Sequence, residues 1–162
     1  MTASGLKNNR GITLVELIIV VALIGVFIVP LTTMFITNYV AYYRDSAKVS
    51  AVSDMRFAFS DVLDYFRRAE QGTIIPDGTQ TVNFQLIQGG VLTNGSIWYD
   101  SGANELVATV GSTQKTILTN VTAVEIGIAE EGRISIKVTT TTRLPYNDTY
   151  IYTQTFDYML RI

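Results

Sequence analysis

From Leu17 to Tyr43 the chain runs for 27 residues without a charged side chain. As a helix that stretch would be about 40 Å long at 1.5 Å per residue, more than the roughly 30 Å of hydrocarbon in a bilayer. One transmembrane helix, Leu17 to Tyr43, is therefore expected before anything else about the fold is decided. Lys7 and Arg10 precede it, and basic residues held inside would leave everything beyond Tyr43 outside the cytoplasmic membrane. A secretory signal has a shorter apolar core followed by a small-residue cleavage site; here the small residue, Gly11, comes before a much longer run. Tyr39, Tyr42 and Tyr43 stand at the outer end, where amphipathic rings favour either the membrane interface or, in an assembly, the space between helices. Arg44, Asp45 and Lys48 then open a water-exposed continuation.

Glu16 sits at the head of this run. A carboxylate at the centre of a membrane helix costs about 2.5 to 3.5 kcal/mol on insertion scales, so such an acid calls for a partner. A new amino terminus at Ile12, exposed by cleavage after Gly11, would supply one. The plain alternative is that Glu16 reaches the headgroups, since it lies close to the boundary. Taken together, Arg10, Gly11, Ile12, Thr13, Leu14, Val15, Glu16 and Leu17 resemble the processing and methylation motif of type IV prepilins and pseudopilins. The resemblance covers roughly residues 7 to 36. It implies that a prepilin peptidase cuts after Gly11 and N-methylates Ile12, where the family more often has phenylalanine. It also implies that Glu16 pairs with the terminal amine of a neighbouring subunit as helices pack into a filament. Pro30 lacks an amide hydrogen and would kink or locally melt a helix in water. The resemblance makes it a place where pilin helices bend, and an ordinary membrane-helix proline is an equal reading. Gly25 would permit close helix contact.

A chain of 162 residues, 48% apolar, fits one anchored module. Its formal charge is −2, and removal of Lys7 and Arg10 with a leader leaves 10 basic against 14 acidic residues. That balance argues against generic nucleic-acid binding. With no cysteine, no disulfide can staple the domain, and stability must come from packing and strand pairing.

The helix is expected to continue beyond the membrane to about Glu70, ending near Gln71 before Gly72 and Pro76. Val52, Met55, Phe59, Val62 or Leu63, and Phe66 recur at spacings of three and four, an apolar stripe that needs a sheet to cover it. After Gly72 the period changes to two. Val82, Phe84 and Leu86 read as one strand; Ile97 to Tyr99 and Leu106 to Val110 read as a hairpin about Asp100 to Asn104. Thr116 to Leu118, then Val124, Ile126 and Ile128, then Ile134, Ile136 and Val138 after a Glu130, Glu131, Gly132 turn form a further set. Tyr150, Tyr152, Phe156, Tyr158, Leu160 and Ile162 share one face of a last strand, after a loop from Leu144 to Asp148. The fold class is α+β: a long amino-terminal helix packed by its second half on a mostly antiparallel sheet, pilin-like in outline. The expected division is a leader at residues 1–11, a membrane or filament-core helix at 12–43, its amphipathic continuation at 44–71 and a sheet domain at 72–162.

An enzyme is not expected. The chain has no histidine, no cysteine and no phosphate loop. Asp61 with Asp64 and Glu130 with Glu131 read as a solvated helix face and a turn, not as a glycosidase pair. Asp77 and the acids from Asp100 to Glu105 are too irregularly spaced for a calcium loop and read as turn formers. No metal or cofactor is expected. Asn94, Asn120 and Asn147 begin N-x-Ser or N-x-Thr triplets of no evident meaning.

A weaker resemblance, carried by Arg56, Phe57, Leu63, Arg67, Arg68, Ala69, Trp98, Tyr99, Asn104 to Leu106 and Gly132 to Val138, is to J-type minor pseudopilins and W-type minor pilins. The sequence therefore reads as a structural subunit, minor rather than major, of a type IV pilus or of a type II secretion or competence pseudopilus. Its implied partners are prepilin peptidase, other pilin or pseudopilin subunits, an inner-membrane assembly platform and the membrane. It would pass from the cytoplasmic membrane to a cell-surface or periplasmic filament. The rival reading is a membrane-anchored adhesin or ligand-binding module that never polymerises.

Overall fold

The computed structural model of the chain describes residues 12–70, 72–129 and 132–160. One helix, α1, runs Leu14–Arg68. The chain divides into two compact units with the boundary between Tyr42 and Tyr43.

In the first unit α1 is apolar on every side, and its most apolar stretch is wholly uncovered by the rest of the chain. Among the described residues it is the one helix long and apolar enough to cross a membrane. Three threonine hydroxyls are satisfied within the helix: those of Thr32, Thr33 and Thr37 donate to the carbonyls of Ile28, Val29 and Thr33 at 2.8 to 2.9 Å. Such back-bonding hides hydroxyls from hydrocarbon and tends to bend a helix. Pro30 lies among them, inside α1, and offers no N–H to the carbonyl of Val26.

The second unit begins with the rest of α1 and continues as sheet. One sheet has five strands in the order β1 (Ile75–Asp77), β2 (Thr81–Gln88), β3 (Val91–Asp100), β4 (Glu105–Val110) and β5 (Thr113–Leu118). The other has three: β6 (Val121–Ala129), β7 (Arg133–Arg143) and β8 (Thr149–Met159). All pairings are antiparallel. The α+β layout is as expected, but the strands form two sheets rather than one. The division falls at Thr119 and Asn120; Asn120 turns the chain with φ 58°. The sheets are then tied by Val121 N–H to Asn104 O at 2.9 Å, Ile126 N–H to Thr79 O at 2.7 Å and the Tyr99 hydroxyl to Val121 O at 3.2 Å.

The helical stripe lies under both sheets. Met55, Ala58, Phe59, Val62 and Phe66 are buried with Val82, Phe84, Leu86 and Ile97 of one sheet and Ile134, Ile136 and Val138 of the other. Phe66 joins them: its ring lies 6.2 Å from Phe84 of β2, edge on, and 5.3 Å from Tyr158 of β8. Phe59 stacks on Phe156 of β8 at 5.2 Å. Each buried aromatic ring is worth about 1.5–3 kcal/mol of transfer free energy. Between Val62 and Leu63 the structure selects Val62, fully buried, with Leu63 half-buried.

Two boundaries differ from expectation. α1 stops at Arg68, short of Gln71, which lies outside the described residues. Ala69 already bridges to Leu86, and Glu70 N–H bonds Gln85 O at 2.7 Å, so pairing with β2 draws the chain out of the helix. Pro76 does more than follow the helix: it sits in the short edge strand β1, where a missing N–H is tolerated. In β8 the half-buried face carries Tyr150, Tyr152, Phe156 and Tyr158 as expected, with Gln154 among them; Ile162 lies outside the described residues.

Candidate functional site

The head of α1 is where the sequence places its chemistry. Thr13 is the last residue before the helix and Glu16 falls in the first turn. The Thr13 N–H donates to Glu16 Oε2 at 2.9 Å, the Thr13 hydroxyl donates to the same oxygen at 3.0 Å, and the Glu16 N–H donates to Thr13 Oγ1 at 3.2 Å. This reciprocal arrangement is a capping box, in which side chains satisfy amides that the first helical turn leaves without partners. The carboxylate is also well placed against the positive end of the helix dipole.

The cap fixes Glu16 at the amino-terminal rim of α1. Ile12, 79% exposed, lies one residue upstream of the amide that Glu16 accepts from. The structure thus brings Thr13 and Glu16 together and leaves Ile12 beside them in the chain. Gly11, Lys7 and Arg10 lie outside the described residues. Pro30 is within α1 and takes no part in this site. The sequence places Thr13 in the processing motif, and its role as a helix cap was missed, although Thr-x-x-Glu ahead of an apolar run is itself a signal for a helix start.

Residues 6–32 match the family model of the prokaryotic N-terminal methylation motif. The chain carries the signature of the type IV pilins and pseudopilins. The matched segment spans the capping box and most of the apolar half of α1. No curated protein and no solved structure gives a significant match. The signature implies processing by a prepilin peptidase and assembly with other pilin subunits, and the long apolar helix fits membrane anchoring.

The remaining candidates are placed as follows. Asp100 Oδ1 accepts the N–H groups of Gly102 and Ala103 at 2.9 and 3.1 Å, the work of a turn former. Asp61 pairs with Lys115 at 2.7 Å and Asp64 with Arg68 at 2.6 Å, so these two carboxylates answer separate cations. Among the described residues no three His, Cys, Asp or Glu side chains converge as a metal site would need. Glu130 and Glu131 lie outside the described residues.

Proposed function

We propose that this chain is a structural subunit, in a minor position, of a type IV pilus or of a type II secretion or competence pseudopilus. The match over residues 6–32 carries the reading. On it, prepilin peptidase cuts after Gly11 and methylates Ile12, residues 12–43 leave the membrane for the filament core, and the sheet domain at 72–162 faces solvent or a partner. Leu17 to Tyr43 spans the cytoplasmic membrane with the amino end inside until assembly. Glu16 pairs with the amine of Ile12 on a neighbouring copy or a related subunit, and the capping box supports this by holding the carboxylate at the helix rim. Pro30 is the place where α1 bends in the packed filament. The assembly platform and fellow subunits are the partners.

Glu16→Gln is the decisive variant. An amide oxygen still accepts from Thr13, so the cap and processing persist while the charge that pairs with the amine is gone. Intact mass of the endogenous protein should show the shortened, methylated species for both forms, and sheared filaments should lose the variant at least tenfold. Equal incorporation removes the pairing role. An uncleaved chain that stays in the membrane fraction would instead establish the anchored, non-polymerising module.

A further inference from the structure

The five-stranded sheet has an outward face that the subunit reading leaves without a task. The register places Trp98 opposite Val107, both on this face. Val107 is 1% exposed and yet stands apart from the main core, which takes Leu106 and Ala108 on either side of it. Trp98 Nε1 donates to Thr109 Oγ1 at 3.2 Å, which ties the indole to β4, the strand that carries Val107. Trp98 itself is half-buried and keeps part of its surface open on this face.

Asn94 stands four residues back along β3, about 13 Å at the rise of a strand, and shares this face with Asn83 and Gln85 of β2. They line a concavity of about 470 Å³ with Thr73 and Ile75. Gln85 Nε2 donates to Asn94 Oδ1 at 3.0 Å, which leaves each amide a further donor and acceptor for a ligand. Ser96 lies between Asn94 and Trp98 on the same face of β3.

The charges choose the ligand class. Among the described residues the outward positions of these five strands hold no lysine or arginine, so phosphates, nucleic acids and anionic lipids find no counter-charge. The acids present are already engaged: Asp77 takes Asn83 Nδ2 at 3.4 Å, Asp100 takes its turn amides, and Glu105 takes the Thr116 hydroxyl at 2.9 Å. A stacking ring with uncharged amides and hydroxyls along one line suits a neutral polyhydroxylated chain, whose apolar ring faces stack on aromatics and whose hydroxyls bond amides. We infer that the outward face of the five-stranded sheet binds neutral polysaccharide, with Trp98 as the stacking platform and the Asn83, Gln85 and Asn94 concavity as an adjoining subsite. This goes beyond the subunit reading and does not depend on it.

Trp98 is the sole tryptophan of the chain, so its emission reports this site directly. The full chain, held in a detergent without a sugar headgroup, is titrated with chitin oligosaccharide, cello-oligosaccharide and mannan, and with heparin as the anionic control. At least one neutral glycan should give a saturable change in emission, and heparin none. Asn94→Ala should weaken that glycan at least fivefold with unchanged circular dichroism. Trp98→Tyr, read by retention on the immobilised glycan, should keep a weakened affinity, and Trp98→Ala should lose at least tenfold. The inference is overturned if no neutral glycan perturbs Trp98, if heparin alone does, or if Asn94→Ala and Trp98→Ala bind as the parent does.

Discussion

Individual side chains show how closely the sheet unit is fitted. Gly95 lies directly opposite Phe84, and a Cβ built there would stand 2.4 Å from Phe84 Cε2. The ring has taken the space a side chain would use. Gly95→Ala should therefore cost about 1–3 kcal/mol, the usual range for overpacking a filled core, and a denaturant midpoint measurement checks it. Asp148 offers a pH test. It accepts the N–H of Thr149 at 2.9 Å and pairs with Arg44 at 2.9 Å; the amide bond first and the guanidinium second hold its carboxyl below the ordinary range. A carboxyl depressed in the folded state contributes stability that is present above about pH 3.9, its unfolded value, and is lost as pH falls through the folded value. Carboxyl resonances followed by NMR should show Asp148 titrating below about 3.9. Arg44→Gln should raise it only in part, because the Thr149 amide remains. The neighbouring Tyr146 is exposed and held at φ 66°, a conformation that disfavours bulky side chains.

Secondary-structure elements show which parts of the fold the sequence could disclose. The apolar run of α1, its stripe at Met55, Phe59, Val62 and Phe66, and the hairpin about Asp100 to Asn104 are all local patterns, and each was legible. The capping box has a local mark too, Thr13 and Glu16 at a spacing of three just ahead of the apolar run, but the processing motif overlies it. Two features were hidden. β1 is three residues long and contains Pro76, so it has neither the length nor the alternation of a strand. The division into two sheets depends on which strand finds which neighbour, a long-range outcome with no local mark beyond Asn120. Phe66 is the element-scale test, since it touches both sheets from α1. Phe66→Ala should cost about 3–5 kcal/mol by leaving a cavity there. Lys115→Ala, which removes an exposed pair with Asp61, should cost less than about 1 kcal/mol. Parallel denaturation curves for the two variants give the comparison.

At the scale of the molecule the strand order sets where protection should lie. β3 is paired on both sides, as is β7, whereas β5 is an edge and exposed along most of its length. Native-state hydrogen exchange should find the slowest amides in β3 and β7 and markedly faster ones in β5; equal protection in β5 would mean that something covers that edge. The outward face of the larger sheet was illegible in the sequence because it exists only through register. Trp98, Val107 and Thr109 are scattered letters until β3 and β4 align.

That register has a bearing on how the protein is made. Within each sheet every strand bonds to the one before it in the chain, so pairing can proceed in the order of emergence with no long loop to close. The aromatic stripe of α1 appears first and waits for its cover. Phe156 and Tyr158, which sit against Phe59 and Phe66, belong to β8, the last of the described strands to be synthesised. Until that strand docks, the Phe59 ring of a nascent copy lacks its stacking partner, which distinguishes an unfinished chain from a folded one.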